Sequence, residues 1–334
     1  KNELVSRSTD STVTGTLTNS EFPAISADGR HVAFVSYAAN LAPGATGLKR
    51  QIFVHDRQTH QTELVSVSTA GVEGNNDCSA PAISSDGRYV VFTSYATNLV
   101  SGDANAVRDV FIRDRQSRTT SRVSVGSGGV EGNSDSFDPA ISADGQYVAF
   151  ASYADNLTAG VNGNAKTNVY VRDMLTSTNT LVSMTLSLTG GSLGSSLPAI
   201  SADGSRIAFY SIETNLVEGD TNGLWDIFLW DRNASPKIKL VSVSSTGVQK
   251  NQGNESTSRI VAPAISADGG IIAYSTTATN LVPGDTNGLQ DVFVHQVSTA
   301  VTIRASEGTG GVQATGDSPV GQGERVALSS DGTW

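Results

Sequence analysis

Short runs of apolar residues alternate with polar turns along the whole chain. In one stretch, Tyr89–Ser94 and Asp109–Asp114 are rich in β-branched and aromatic residues, and Gly, Asp, Asn and Ser residues bound them. Runs of this length and composition predict β-strands. Because both faces of these runs are apolar, we expect each sheet to be covered on both sides. No stretch shows the sustained period of an amphipathic helix.

The pattern returns at a nearly constant interval. An Asp-Gly pair marks each copy, and its aspartates recur 58 to 65 residues apart, at Asp28, Asp86, Asp144, Asp203, Asp268 and Asp331. Each copy predicts four short strands, which in the second copy are 82–84, 89–94, 109–114 and 121–125, with a tight Asp-Gly turn after the first. Self-similarity of this kind indicates a repeat architecture. Four antiparallel strands repeated radially predict an all-β fold, the β-propeller.

The repeated unit has a recognisable consensus. The motif P-A-I-S-x-D-G-x-x-V-A-F begins at Pro23, Pro81, Pro139, Pro198 and Pro263, and [VI]-F-V-x-D and L-V-S follow it. This unit resembles the WD40-like (PD40) repeat of TolB-type β-propellers over essentially the whole chain. The sequence departs from that family at Ile25, Ile83, Ile141, Ile200 and Ile265, where a tryptophan is common. Because such propellers serve as partner-binding scaffolds, lyase domains and covers on peptidases, the resemblance implies the fold more strongly than the function.

The copies predict one domain over 1–334, a six-bladed propeller. Full blades are predicted at about 21–69, 79–126, 137–185, 196–244 and 261–306. Residues 1–8 match a fourth strand and are expected to close the ring as an orphan outer strand, and 325–334 start a sixth blade. The last blade is therefore composite or incomplete, and its open edges would need residues beyond Trp334 or a strand donated by a neighbouring chain.

The excess length over a typical repeat of about 40–45 residues lies in two connections. One joins the second and third strands, and the other joins the fourth strand to the next first strand. In a propeller both emerge at the same end, which we call the long-loop end, and we expect a protein or glycan partner to bind there. Tyr37, Tyr95 and Tyr153 follow the second strands of the first three copies. They are predicted either to contact such a partner or to pack between blades.

The most specific chemical motif precedes the third strand. Copies four and five read G-D-T-N-G-L-x-D, and copy two is a variant of this motif. Oxygen ligands at alternating positions around a turn resemble the opening of an EF-hand loop, although the helices and the bidentate glutamate are absent. The candidate Ca²⁺ ligands are Asp103, Asn105, Asp109, Asp220, Asn222, Asp226, Asp285, Asn287 and Asp291. The alternative is an Asx turn that leads into a strand without metal.

Composition narrows the partners and the location. The chain has 32 acidic and 22 basic residues, a formal charge of -10 and a pI near 4.8, which argues against nucleic acid and anionic membranes as partners. No apolar run approaches the roughly 18 residues of a transmembrane helix. Richness in Ser, Thr, Gly and Asn with few lysines favours a secreted, cell-surface or periplasmic bacterial protein. The single cysteine, Cys78, is assigned to a long connection and allows no internal disulfide.

No catalytic constellation is evident in the sequence. The four histidines are expected to lie apart, and there is no G-x-S-x-G elbow. The leading hypothesis is therefore a non-catalytic, exported propeller scaffold that binds a protein or glycan through its long-loop end, with Ca²⁺ as a stabilising ion. One alternative is a propeller-type polysaccharide lyase or hydrolase. The other is a structural subunit of a cell-surface assembly.

Overall fold

The computed structural model describes residues 3–6, 19–159, 166–253, 261–316 and 326–332. The chain divides into two compact units. The first consists of Lys1–Ala159 and Val171–Thr180, and the second consists of Gly160–Tyr170 and Leu181–Trp334. The described residues form five four-stranded sheets and one two-stranded sheet. The single domain predicted over 1–334 stays a prediction.

Three sheets, which we call blades 1 to 3, follow one another from the N-terminal side. Each is an antiparallel sheet in which the strands are neighbours in chain order. Blade 1 contains β1 (Ser20–Ile25), β2 (His31–Ser36), β3 (Gln51–Asp56) and β4 (Gln61–Leu64). Blade 2 contains β5 (Cys78–Ile83), β6 (Tyr89–Ser94), β7 (Asp109–Asp114) and β8 (Thr119–Arg122). Blade 3 contains β9 (Ser136–Ile141), β10 (Tyr147–Ser152), β11 (Asn168–Asp173) and β12 (Thr178–Leu181).

Two further blades lie in the second unit and have the same strand order. Blade 4 contains β13 (Ser195–Ile200), β14 (Arg206–Ser211), β15 (Asp226–Asp231) and β16 (Ile238–Leu240). Blade 5 contains β17 (Ala264–Ile265), β18 (Ile271–Thr276), β19 (Asp291–Gln296) and β20 (Val301–Arg304). A two-stranded hairpin follows, formed by β21 (Glu307–Gly308) and β22 (Val312–Gln313). The five predicted four-stranded blades are therefore all present.

The turn after each first strand depends on its Ser, Asp and Gly residues. In blade 2 the Ser84 hydroxyl donates to Asp86 Oδ1 at 2.6 Å, and the Arg88 N–H donates to the same oxygen at 2.9 Å. Gly87 has a φ of +74°, and a Cβ there would lie 2.3 Å from the His31 ring. Glycine is therefore required both for the backbone conformation and for the close approach of the neighbouring blade.

The first strands of blades 1 to 4 are longer than predicted. In blade 2 the strand begins at Cys78 rather than after Pro81, and the register with β6 shifts between Ser79 and Ala82. Ala80, just before the proline, has a φ of +50°. Proline lacks a donor for the ladder, so a bulge accommodates it and the strand continues. Cys78 is therefore a fully buried strand residue, and its assignment to a connection was wrong.

The second and third strands form the core. In blade 2 the Phe92 and Phe111 rings stack with centroids 5.9 Å apart, and both are fully buried. They belong to a cluster that joins blades 1 and 2 and includes Val35 and Ile52. A second cluster joins blades 4 and 5. Sheets that pack face to face explain why these strands are apolar on both faces, as predicted.

Hydrogen bonds connect consecutive blades within each unit. In the first unit the Ala27 N–H donates to Ser85 O at 3.0 Å, and the Ser85 N–H donates to Ala143 O at 3.0 Å. In the second unit Ala202 donates to Ala267 O at 2.8 Å. An Asn-Leu pair follows the second strand in every full copy. It adds to this linkage in blade 2, where the Asn98 side chain donates to Glu73 O at 2.8 Å and Leu99 is buried.

The two predicted fragments are only partly described. Residues 3–6 form no strand, and their predicted role in closing the ring stays a prediction. Within 326–332 the structure has a turn rather than a strand, and the Ala267 N–H donates to Ser330 O at 2.8 Å. This bond repeats the contact between consecutive blades, which is consistent with the start of another blade.

Candidate functional site

The two long connections meet at one end of the blades, as predicted for the long-loop end. In blade 1 the Thr46 N–H donates to Glu73 Oε1 at 3.1 Å, and Arg50 N–H donates to Asp77 Oδ1 at 3.0 Å. In blade 2 the Ala104 N–H likewise donates to Glu131 Oε1 at 3.0 Å, and the Arg108 N–H donates to Asp135 Oδ1 at 2.9 Å. The connection after each fourth strand is a short hairpin, marked by antiparallel bridges such as that of Val67 with Glu73, which sequence reasoning missed.

In blade 2 the predicted ligands surround an arginine. Arg122 Nη1 lies 3.1 Å from Asp103 Oδ1, 3.2 Å from Asp109 Oδ2 and 2.6 Å from Glu131 Oε1. The two aspartates and Arg122 are buried, with side chains at most 7% exposed. Burial raises the pKa of Asp103 to about 6 and also raises the pKa of Asp109. The carboxylates are therefore held together around a basic side chain in a poorly solvated site.

Blade 4 has the same pair of acids, but its basic residue comes from the connection. Lys250 Nζ lies 3.9 Å from Asp226 Oδ1 and donates to Trp225 O. Burial lowers the pKa of Lys250, and it raises the pKa of Asp226 and raises that of Asp220 to about 6. Asp220 Oδ1 and Asp226 Oδ2 are buried and have no hydrogen-bond partner. Hydrogen bonds therefore leave two buried oxygens of the blade 4 cluster unsatisfied.

In blade 5 the arginine again ends the fourth strand. Arg304 Nη1 lies 3.2 Å from Asp285 Oδ1 and 3.8 Å from Asp291 Oδ2, and its Nε lies 3.2 Å from Glu307 Oε1. Burial raises the pKa of Asp285. Blades 2 and 5 therefore share one arrangement, in which an arginine pairs with one aspartate of the loop before the third strand and with the aspartate that begins that strand.

Blades 1 and 3 have neutral side chains in place of the second aspartate and of the arginine. Gln51 takes the place of the second aspartate in blade 1, and its Nε2 donates to Gly74 O at 2.9 Å. Asn168 does so in blade 3 and accepts from the Gly191 N–H at 2.8 Å. Leu64 and Leu181 stand where blades 2 and 5 have arginine. Acid and base thus appear and disappear together, which indicates that the basic side chain is a standard component of the cluster.

The asparagines of the three motifs make Asx turns. Asn105 Oδ1 accepts from the N–H of Val107 at 3.3 Å, and the equivalent bonds of Asn222 and Asn287 are both 3.0 Å long. Their side-chain nitrogens donate to carbonyls of the following connection, at 2.9, 3.3 and 3.2 Å. The alternative interpretation of the motif therefore fits the asparagines. The carboxylate pairs are suited to a hard cation, but Ca²⁺ would have to displace Arg122, Lys250 or Arg304, and calcium binding stays a prediction.

A patch of aromatic and basic side chains lies at the long-loop end of the first unit. Tyr37, Tyr95 and Tyr153 are 40–43% exposed. The Arg108 guanidinium lies 4.8 Å from the Phe137 ring centroid and 5.8 Å from that of Tyr95. The Phe137 and Tyr153 rings are 5.5 Å apart. We call these five residues the tyrosine patch. Its tyrosines are neither buried between blades nor fully solvated, so each presents about half of its surface outward.

Exposed apolar residues lie at the tips of the hairpin connections. Val72 and Val130 are 56% and 58% exposed in the first unit. Val248 and Val312 hold the equivalent position in the second unit and are similarly exposed. A branched apolar side chain exposed at the same place in four connections contributes nothing to the described core. It is therefore available for contact with another molecule.

The expectation that the histidines lie apart was wrong for two of them. His55 and His60 have ring centroids 6.3 Å apart, and Glu3 lies beside them, with its Oε1 3.5 Å from His60 Nδ1. The only sequence signal was the short separation of His55, near the end of β3, from His60, in the turn that follows. Glu3 is remote in sequence from both histidines, and no motif near it predicts that it contacts them.

No helix within the described residues has the length and apolar character that crossing a bilayer requires.

No family model matches the chain, and no curated protein does. Its fold is similar to that of putative TolB from Agrobacterium tumefaciens, with 15% identity, a TM-score of 0.50 and coverage of 86% of this chain and 81% of that one. It is also similar to the β-propeller domain of the Trilobed protease from Pyrococcus furiosus, with 12% identity, a TM-score of 0.51 and coverage of 87% and 72%. TolB from Acinetobacter baumannii matches with 18% identity and a TM-score of 0.48 over 86% of this chain, which spans about half (54%) of the length of that TolB. The predicted β-propeller fold of four-stranded antiparallel blades is therefore confirmed.

Proposed function

We propose that the chain is a non-catalytic, exported scaffold that binds a partner protein through the long-loop end of its first unit. The observation that carries this proposal is the tyrosine patch, in which three tyrosines are half-exposed and the Arg108 guanidinium lies over the Tyr95 and Phe137 rings. Tyrosine and arginine are the residues that most often dominate binding energy at protein interfaces. The exposed Val72 and Val130 favour a protein over a sugar, because valine offers apolar contact without a stacking face.

Site-specific photo-crosslinking tests this proposal in the organism that makes the protein. A benzophenone amino acid is placed at Tyr95 and, as control, at Leu175. Leu175 is 80% exposed and lies in the turn between β11 and β12, at the end away from the long loops. We expect a discrete protein adduct from position 95 only, identifiable by mass spectrometry. Equal labelling from both positions, or none from position 95, would refute the proposed surface.

The tyrosines themselves can be tested once that adduct is identified. Replacing Tyr37 or Tyr153 by serine should weaken binding by about 2 kcal/mol, more than tenfold in affinity, if they are central contacts. Unchanged affinity in both variants would show that the tyrosine patch does not contribute to the interface. Export is tested separately by fractionation, which should place the protein outside the cytoplasm.

A glycan partner is the second candidate, since half-exposed tyrosines can also stack on sugar rings. Retarded migration in gels that contain laminarin or xylan, abolished by Tyr95→Ser, would favour it over a protein partner. The lyase or hydrolase and the cell-surface subunit stay alternative predictions. Release of reducing ends from acidic or neutral polysaccharides would support the first, and polymers that grow with concentration would support the second.

Calcium binding by the Asp/Asn loops is a separate proposal. The paired carboxylates support it, and so do the buried Asp220 and Asp226 oxygens that have no hydrogen-bond partner. The basic side chain in each cluster opposes it, because a divalent ion beside Lys250 or Arg304 would be repelled unless that side chain moved.

A further inference from the structure

Two histidines and a glutamate converge at the end of blade 1 that lies away from the long loops. His55 lies in β3 and is buried, His60 lies in the turn between β3 and β4, and Glu3 belongs to the N-terminal segment. One potential ligand atom of each residue lies within 4.8 Å of those of the other two. The closest measured pair is His60 Nδ1 and Glu3 Oε1, at 3.5 Å.

Neighbouring side chains hold one further polar atom of His55 and one of Glu3. His55 Nδ1 lies 2.9 Å from the Thr62 hydroxyl oxygen, and Arg57 Nε donates to Glu3 Oε2 at 3.0 Å. Outer partners of this kind fix the tautomer and orientation of metal-bound histidines and carboxylates. With Nδ1 protonated toward Thr62, His55 presents Nε2 as its ligand atom. Glu3 presents Oε1, the oxygen that faces His60.

We propose that Glu3, His55 and His60 bind one zinc ion. Two imidazoles and one carboxylate, with a fourth position for water, form a zinc ligand set. Imidazole also favours zinc over the oxygen-preferring Ca²⁺ and Mg²⁺. Tetrahedral bonds of about 2.0–2.2 Å separate neighbouring ligand atoms by about 3.4 Å, which is close to the separation of Glu3 Oε1 and His60 Nδ1. The other pairs of ligand atoms lie within 4.8 Å of one another. Rotation of the His60 side chain, which is 66% exposed, can bring its ring nitrogen closer to the other two ligands.

Blade 5 supplies an internal comparison. His295 is equivalent to His55, and its Nδ1 lies 2.9 Å from the Thr302 hydroxyl oxygen. The turn residue equivalent to His60 is Ala300, which has a φ of 55°, while His60 has a φ of 58°. His60→Ala therefore gives blade 1 the turn residue that blade 5 already has, in the same backbone conformation. This variant removes one ligand and is expected to keep the fold.

Calorimetric titration with zinc chloride tests the proposal. The full chain is used without a histidine tag, after treatment with a chelator. We expect one zinc ion per chain for the wild type. The His60→Ala and Glu3→Gln variants should bind at least about tenfold more weakly, since loss of even an outer partner costs that much. His295→Gln, which changes the comparison histidine, should bind as the wild type does.

Thermal unfolding gives a second readout. Zinc should raise the Tm of the wild type and leave that of His60→Ala almost unchanged, whereas a simple ion pair between Glu3 and His60 would make both insensitive to zinc. Circular dichroism confirms that each variant is folded. Absence of zinc binding to the wild type would overturn the proposal, and so would equal binding by all four proteins. Excess Ca²⁺ should not compete, and competition would place the ion in the Asp/Asn loops instead.

Discussion

Removing Arg122 should be among the most damaging single substitutions in blade 2. Its guanidinium lies 3.1 and 3.2 Å from the carboxylates of Asp103 and Asp109, which are 4% and 1% exposed. Arg122→Leu places at this position the residue that blade 1 has there, Leu64, but leaves two buried acids without their cation. Breaking a buried ion pair from one side costs about 3–5 kcal/mol. At roughly 2–4 °C per kcal/mol for units of this size, the Tm should fall by about 6–20 °C.

Replacing the two aspartates together with Arg122 should restore stability. Blade 1 has Ala45, Gln51 and Leu64 where blade 2 has Asp103, Asp109 and Arg122. Ser66 Oγ donates to Gln51 Oε1 just as Ser124 Oγ donates to Asp109 Oδ1, so the neutral set keeps this contact. The triple variant Asp103→Ala, Asp109→Gln, Arg122→Leu should therefore recover most of the lost stability, because replacing a whole buried ion cluster by neutral residues is often nearly neutral.

Urea unfolding followed by far-UV circular dichroism measures both effects. Arg118→Ala serves as the control, because Arg118 is exposed in the turn between β7 and β8 of the same blade and its loss should change stability by no more than about 0.5 kcal/mol. A triple variant as unstable as Arg122→Leu would refute the reasoning, since the cost would then come from lost packing of the arginine stem rather than from unpaired acids. An Arg122→Leu variant as stable as the wild type would show that the cluster contributes no net stability.

Three further predictions follow from other parts of the chain. Cys78 is fully buried and its pKa is raised by burial to about 12, so iodoacetamide at about pH 8 should label it only after unfolding; rapid labelling of the native protein would contradict this. Arg88, which donates to both Asp114 oxygens, holds the pKa of Asp114 below its usual value. A depressed folded pKa stabilises the fold above the unfolded value of about 3.9 and loses that contribution as pH falls. Asp114→Asn should therefore cost stability at neutral pH, and its difference from the wild type should narrow below about pH 4; a difference independent of pH would count against the ion pair. Finally, millimolar Ca²⁺ should raise the Tm of the chelated wild type, and should raise that of Lys250→Met by more, because this variant lacks the ammonium that opposes the ion; no shift in either protein would reject the calcium proposal.

The central strands were predictable to the residue, and the outer ones were not. The bounds of β6 and β7 agree with the prediction because burial on both faces forces a continuous apolar run. The fourth strand was placed at 121–125 but is Thr119–Arg122. Val123 and Val125 are buried as a strand residue would be, yet Val125 pairs with Glu131 in the following hairpin. Apolar character alone does not distinguish a buried hairpin stem from the edge of a sheet.

The candidate site was half predictable. The acids of the Asp/Asn loops stand out because they lie close together in sequence. Their basic partners do not, since Arg122 and Arg304 end fourth strands while Lys250 lies in a connection. A position-by-position comparison indicates the two arginines, because blades 2 and 5 have acids together with arginine, whereas blades 1 and 3 have amides together with leucine. Blade 4 has acids but Leu240 at the arginine position. Lys250 breaks even that rule, so only the fold reveals it.

Lys250 also limits how this chain could be engineered. In blades 1 and 2 the corresponding position is Gly74 or Gly132, and the hairpin tips at Gly71 and Gly129 face open space. Those two connections are suited to carrying an inserted peptide epitope. The connection after blade 4 is not equivalent, because its Lys250 ammonium group is buried beside the Asp226 carboxylate. In a library that randomises all the connections, we expect more folded variants among those changed after blades 1 and 2 than among those changed after blade 4.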